Sequence, residues 1–520
     1  MKPLALACLL AVACAPALAA APGPAKPAAA HGASTSTATQ VPVARDPVPL
    51  ILSVPRPKGG EWMGLYVLGK KAGWAFADLR EGEYGGQKAV VATSRVTLKA
   101  NVGGASMQRD VLDERYYEFR DGGRLLGLRQ EKHGDGGEEI LIARCTPEAV
   151  ELKRVRPGLP DEIRKLPPTA ETVEHADAPR IVASTRKPLS GVSLDLERTL
   201  ADKKDLTEVV GEETVTAAGV SVKVVRIKTV EEDSTLPIIS IIALDGRQLE
   251  LQFGEVMVGK AESEQVAKKL DQVDIFNLTR VVLAKPLPEA IREPPSTIVW
   301  KVHGLGQDSK IPIGRQQLKR QGDDSALLTI STRLPKASAQ RPVSPGDDQE
   351  LADNLKANLA VESDSPTIIA KAKEIVGDEK NAWAASKRVI GFVHRHLEKT
   401  YGSSSDRATD VLALKRGDCT EHALLATALL RAAGIPARRV DGLVYMQAAD
   451  GVPALYWHEW VEAWVGEWVE MDPTFNQPVA DPSHVALGTE ARVDTAGLIG
   501  KLKFEPVEIK PAVTTPAKKK

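Results

Sequence analysis

Arg416-Gly417-Asp418-Cys419-Thr420-Glu421-His422 begins the most informative segment of the chain, and Trp468-Val469-Glu470-Met471-Asp472-Pro473-Thr474 ends it. Asp418 is a good helix N-cap, and Glu421 three positions later gives the spacing of a capping box. Cys419 then falls on the first helical position. Unsatisfied N–H groups and the positive end of the helix dipole favour a thiolate there, so the sequence predicts an unpaired Cys419 with a lowered pKa. Ala423, Leu424, Thr427, Leu430 and Arg431 follow at helical spacing, and Gly434 and Pro436 are a stop signal. The competing reading of Cys419 is a small apolar core residue, the ordinary fate of a free cysteine.

Downstream, Tyr456 to Val465 reads as a strand carrying His458. Gly466-Glu467 is a turn signal, and Trp468 to Met471 reads as the partner strand leading to Asp472. A cysteine at a helix start, a histidine on one strand and an aspartate on the next make up the parts of a thiol nucleophile site. The carboxylate would fix the imidazole tautomer and stabilise the imidazolium. Register tests this assignment. A two-residue turn at Gly466-Glu467 pairs Val465 with Trp468 and puts His458 and Asp472 on opposite faces. The triad therefore requires an odd-length loop or a bulge between Val461 and Glu470. His422, close to Cys419 on the helix, is a rival base, but no carboxylate is obviously placed to orient it. Zinc held by Cys419, His422 and His458 is a further rival, with poor ligand spacing. The tryptophans Trp457, Trp460, Trp464 and Trp468 suit cross-strand packing, or alternatively a cleft wall beside the nucleophile.

Four blocks resemble the transglutaminase-like superfamily, a permuted relative of the papain-type cysteine proteases. They are Gly417-Asp418-Cys419-Thr420-Glu421-His422, Ala433-Gly434-Ile435-Pro436-Ala437-Arg438, His458-Glu459-Trp460-Val461-Glu462 and Asp472-Pro473-Thr474. The resemblance covers roughly the last third of the chain. It implies a Cys419–His458–Asp472 triad doing acyl transfer on amide bonds of a protein or peptide substrate, with no cofactor and no metal. Hydrolysis by a cysteine protease or amidase is the first expectation. The alternatives are protein-glutamine cross-linking and a non-catalytic exported β-rich binding protein, because family membership names the chemistry better than the substrate.

The expected fold class is α+β, with a C-terminal transglutaminase-like, permuted papain-like core at 350–495 preceded by antiparallel β-rich domains. Residues 1–19 read as a secretory signal peptide ending in Ala17-Leu18-Ala19, with a weaker lipoprotein reading at Val12-Ala13-Cys14. Residues 20–55 are expected to be a disordered Ala/Pro-rich linker. A β-meander follows at 56–175, a second β-rich domain at 176–286, a small β-sandwich-like region at 287–345 and a tail at 496–520. Asp121-Gly122 and Asp245-Gly246 mark hairpins. A helix is expected from Ala261 to Leu270, and another from Ala384 to Leu397 with Val389, Ile390, Phe392 and Val393 on its apolar stripe. Lys and Arg number 68 and Asp and Glu 69, a formal net charge of −1, which gives no footing for nucleic acid. No later stretch is long and apolar enough to span a membrane. The signal-like start leads to the expectation of an exported protein, periplasmic or extracellular. Of four cysteines, Cys8 and Cys14 fall within the signal peptide. Cys145 and Cys419 remain, and a bond between them would block the nucleophile.

Overall fold

The computed structural model describes residues 47–511 except 103–104, 135–136, 159, 196–200, 218, 233–235, 307–310, 312–313, 323, 359, 401–404, 406, 449 and 490–496. The expected signal peptide and the linker up to residue 46 lie outside the described residues, as does Lys518-Lys519-Lys520.

Among the described residues, fourteen strands between Glu61 and Glu262 form one antiparallel sheet. Strands from Glu61–Val67 to Glu162–Leu166 lie side by side in chain order, and so do those from Leu189–Leu194 to Met257–Glu262. The two runs join where Glu61–Val67 pairs with Met257–Glu262, Trp62 facing Glu262 and Val67 facing Met257. The regions expected as separate domains at 56–175 and 176–286 thus share one sheet. The joining ladder links residues about 200 positions apart, beyond any local sequence signal. Asp121-Gly122 and Asp245-Gly246 do lie between paired strands, and both glycines have positive φ. The helix expected from Ala261 to Leu270 is a single turn, Glu264–Ala267, because the strand before it runs on to Glu262.

The segment Val173–Thr185 packs its apolar side chains Val173, Ala176 and Ile181 against Leu79, Val90, Leu128 and Leu141 of the sheet. Arg180 is buried there but ion-paired to Glu61 at 2.5 Å and Asp177 at 2.9 Å, as a charge removed from water requires. A cavity of about 1770 Å³, its open mouth included, lies between this segment and the strands. Neither Cys419, His458 nor Asp472 lines it.

Four further strands form a second antiparallel sheet, ordered Gln316–Arg320, Ser325–Thr332, Ser296–His303 and Lys503–Lys510. Its last strand comes from the stretch expected as tail. Pro506 can sit in it because this strand is at the sheet edge and a register shift falls beside it. One face buries Ile298, Trp300, Val302, Leu328, Ile330 and Phe504.

The C-terminal unit has helices α1 (Pro366–Val376), α2 (Ala382–His396), α3 (Ala408–Leu414) and α4 (Cys419–Ala432). Its strands are β1 (Ala437–Gln447), β2 (Pro453–Trp464), β3 (Trp468–Met471) and β4 (Val485–Thr489). β2 pairs with β1 and with β3, and β1 pairs on its other side with β4. The α2 helix starts two residues earlier than expected, capped by the Asn381 side chain accepting from Ala384 N–H at 2.9 Å. α4 is buried almost all round, because the other helices cover one side and β1 and β2 the other. Beyond its C-cap Ala433 the chain turns at Gly434, whose φ is +75° and where a Cβ would approach Pro342 Cβ to 2.7 Å.

Candidate active site

The start of α4 is built as its sequence requires. The Asp418 side chain accepts from Thr420 N–H at 2.9 Å, and Glu421 Oε2 accepts from Asp418 N–H at 2.8 Å, closing a capping box. Glu421 Oε1 also accepts from Ser405 N–H at 3.1 Å, so its buried carboxylate is satisfied on both oxygens. These bonds fix the turn that presents Cys419. Cys419 is buried, 6 % exposed, with the backbone of Glu459 on β2 beside it. Cys419 and Cys145 are both free.

Burial pushes the Cys419 thiol above its ordinary pKa, with the Asp418 and Glu459 carboxylates acting in the same sense. This reverses the direction expected from the helix start. The helix dipole acts on a thiolate, but the packed surroundings disfavour the charged form more strongly. Burial likewise pushes the Cys145 thiol up to about 12, and Cys145 packs in the core of the large sheet.

The β2–β3 connection decides whether His458 and Asp472 can meet. Trp464 pairs with Trp468, leaving the three residues Val465, Gly466 and Glu467 as the loop. Gly466 has φ +107°, and Val465 N–H donates to Glu467 O at 3.0 Å. The odd loop length puts residues 458 and 472 on one face, the parity that the triad requires. His458 Nε2 and Asp472 Oδ2 are 2.7 Å apart, both side chains buried.

Asp472 is held by four donors. Its Oδ1 accepts from Thr474 N–H at 2.6 Å and Phe475 N–H at 3.1 Å. Its Oδ2 faces His458 Nε2 and also His484 Nε2 at 2.9 Å. Burial alone would raise this carboxyl, but the charge and hydrogen bonds of the two histidines hold it well below the usual carboxylate range. Burial lowers His458 against the pull of Asp472, and the neighbouring His484 lowers it further. Rings enclose the imidazole. Phe475 stacks at 5.1 Å between centroids and Trp460 at 5.9 Å. Trp460 Nε1 donates to Glu470 Oε2 at 2.9 Å, which fixes that ring.

The four tryptophans divide between the two readings the sequence left open. Trp457 is buried, donating to Thr279 O at 3.1 Å, and Trp464 meets Trp468 edge to face at 5.7 Å. These are packing and cross-strand roles. Trp460 alone of the four stacks on His458. His422, the rival base, spends Nδ1 on Asp418 O at 2.7 Å, and burial lowers its pKa to about 4.

Sequence reasoning missed His484. It follows Asp481-Pro482-Ser483, and Asp481 Oδ1 accepts from Ser483 N–H at 2.9 Å and from Ser483 Oγ at 2.6 Å. The Asp481 to Ser483 spacing of an Asx-turn was the available signal, but nothing in the sequence aims the following histidine at Asp472. The ligand-type atoms of His458, Asp472 and His484 lie within 4.8 Å of one another. The 2.7 and 2.9 Å separations are hydrogen-bond distances. His484 also has Nδ1 at 3.3 Å from Asp481 Oδ1, so it faces carboxylates at both nitrogens. That favours the doubly protonated ring, which has no lone pair for a metal.

Residues 369–473 match the model of the transglutaminase-like superfamily. No curated protein matches the chain in sequence. Among solved structures the chain is similar to a candidate cysteine protease from Cytophaga hutchinsonii, at 16 % identity and TM-score 0.28, covering 42 % of this chain and 86 % of that one. It is similar to a β-barrel-like protein of a domain of unknown function from Brucella abortus, at 13 % identity and TM-score 0.29, covering 40 % and 96 %. A candidate protease from Parabacteroides distasonis aligns at 10 % identity and TM-score 0.18, covering 72 % and 65 %.

Proposed function

Since residues 369–473 are a transglutaminase-like domain, we propose that the chain performs thiol-dependent acyl transfer on amide bonds of protein or peptide substrates, with Cys419 as nucleophile, His458 as base and Asp472 as the group that orients it. The observation that carries the reading is the 2.7 Å bond from His458 Nε2 to Asp472 on one buried face. With Nε2 given to Asp472, Nδ1 is the ring nitrogen left for the thiol. A cysteine at a helix start, with histidine and aspartate on following strands, is also the support for the permuted papain-like arrangement.

The directions of the two pKa shifts favour a neutral thiol and a neutral imidazole at rest. His458 then acts as general base during attack. As Sγ bonds to the carbonyl carbon, the thiol proton passes to Nδ1 and the carbonyl π electrons move to oxygen. The Cys419 N–H at the helix start is one donor for that oxyanion. Collapse breaks the C–N bond, and the imidazolium proton goes to the leaving amine. A second nucleophile, deprotonated by His458, then releases the acyl group from sulfur. With water as that second nucleophile the outcome is hydrolysis, which we take as the preferred reading; a lysine amine in its place would give a cross-link. The start of the sequence, with its charged and apolar residues and Ala17-Leu18-Ala19, supports an exported protein.

The test is incubation of envelope proteins with the protein and with Cys419→Ala, followed by peptide mass spectrometry. New termini that depend on Cys419 are expected. Isopeptide cross-links without new termini would make the acceptor an amine. No Cys419-dependent product of either kind would overturn the enzymatic reading.

A further inference from the structure

We propose that His484 is a positioning residue for this site, acting through Asp472 as a fixed second proton donor that keeps His458 neutral until the thiol gives up its proton. The inference rests on the reading of Cys419 and His458 above. His484 lies beyond the segment that matches the family, which ends at residue 473.

The geometry is a chain of four buried groups. Asp481 Oδ1 lies 3.3 Å from His484 Nδ1, His484 Nε2 lies 2.9 Å from Asp472 Oδ2, and the same oxygen lies 2.7 Å from His458 Nε2. His484 and Asp472 are both 0 % exposed. Two carboxylates at the two ring nitrogens stabilise a doubly protonated ring, and although burial opposes it, their charge and hydrogen bonds raise His484 to about 9. Asp472 therefore faces one lasting cation. A second, on His458, would have to form with its ring centroid 5.8 Å from that of His484, and like charges at this range disfavour it. His458 is accordingly held neutral, as a general base must be.

The surrounding elements serve this placement. The groups facing His484 are Asp472 after β3, Asp481 in its own turn, His458 and Trp460 on β2, and Phe475, whose ring meets it edge on at 6.3 Å. Arg315, outside the C-terminal unit, donates to Glu470 Oε2 at 2.7 Å, to Asp481 O at 3.1 Å and to His484 O at 3.1 Å. It pins the backbone on both sides of the ring. Gly442 on β1 lets β4 approach closely, because a Cβ there would lie 2.0 Å from Val485 O.

Three measurements test the assignment, and none needs turnover. In the wild-type protein, ¹⁵N NMR of the histidine rings should show His484 doubly protonated at pH 7 and deprotonating only near pH 9, while His458 is neutral at pH 7. In His484→Gln, the pH midpoint for iodoacetamide modification of Cys419 should fall by about one unit, because loss of the cation allows the thiolate–imidazolium pair to form earlier. Asp481→Asn removes the carboxylate that holds the charge and should shift the midpoint in the same direction, which covers the case in which His484→Gln does not fold. A neutral His484 at pH 7 in the wild type overturns the proposal. So does an unchanged midpoint in either folded variant, since a merely structural histidine would not move it. A shifted midpoint in a protein that acts on no amide would uphold His484 and refute the hydrolase reading separately.

Discussion

Asp472 is where the site's electrostatics concentrate, and its replacement separates catalysis from folding. Asp472→Asn keeps the size of the side chain and removes its charge. We expect amide hydrolysis to fall by roughly two to four orders of magnitude, because orientation and imidazolium stabilisation are lost together. Circular dichroism should be unchanged, and full activity in this variant would make Asp472 only a turn residue. The histidines also fix how stability depends on pH. His484 is raised to about 9, so it contributes stability that is complete below its unfolded value of about 6.5 and lost as pH rises through about 9. His422 is lowered to about 4 and His458 is lowered too, so their contributions are complete above about 6.5 and lost as pH falls, for His422 through about 4. Calorimetric Tm measured against pH should therefore peak near 6.5, as far as these groups decide it. In His484→Gln the decline on the alkaline side should flatten, and an unaltered alkaline limb would contradict the charge assigned to His484.

Two connections, each a few residues long, decide whether the site exists. The capping box at the start of α4 orients Cys419, and Asp418→Ala should destabilise the protein by about 0.5–2 kcal/mol, read from urea midpoints. Its neighbour Thr420→Ala removes no cap and should leave the midpoint within about 0.5 kcal/mol. The β2–β3 loop acts through parity rather than energy. Deleting Gly466 leaves two residues between Trp464 and Trp468, and keeping that pair in register then forces the loop to close with different dihedrals. If the pairing slips by one instead, Asp472 turns to the face opposite His458. We expect the deletion variant to lose the low-field ring-proton signal of the His458–Asp472 bond. Retention of that signal would show that the loop length does not set the pairing.

The three larger sheets depend on one another. Trp300, Val302 and Ile330 of the four-stranded sheet share a buried cluster with Phe276 and with Leu443, Tyr456, Trp457 and Leu487 of the C-terminal unit. Salt bridges join the large sheet to α3 and its cap, Arg156 to Asp410 at 2.5 Å and Arg407 to Glu162 at 3.3 Å. A fully buried large apolar side chain contributes about 1.5–3 kcal/mol, and whole-domain stability is only about 5–15 kcal/mol. Uncovering several such side chains is therefore comparable to the entire stability of the unit. A fragment of residues 350–495 should melt without cooperativity and bind a hydrophobic dye, whereas the full chain melts cooperatively. Cooperative melting of the fragment would show that the C-terminal unit is independent.

The sequence by itself determined what is local or periodic. The capping box at Asp418 and Glu421, the stop at Gly434, the hairpin turns at Asp121-Gly122 and Asp245-Gly246, and the apolar stripe of α2 are all written within a few residues. The condition that the β2–β3 loop be odd followed from strand periodicity once His458 and Asp472 were assigned to one site, though which loop satisfies it did not. Tertiary structure decided what depends on distant residues. It joined two meanders into one sheet through strands about 200 positions apart, and it drew Lys503–Lys510 out of an apparent tail. It raised the Cys419 pKa where the helix start alone argued for lowering it, because desolvation is a property of the packed surroundings. It also brought His484 to Asp472, a 2.9 Å contact set by the pairing of β4 with β1 and by Arg315 from the turn before the strand Gln316–Arg320, which no spacing along the chain encodes.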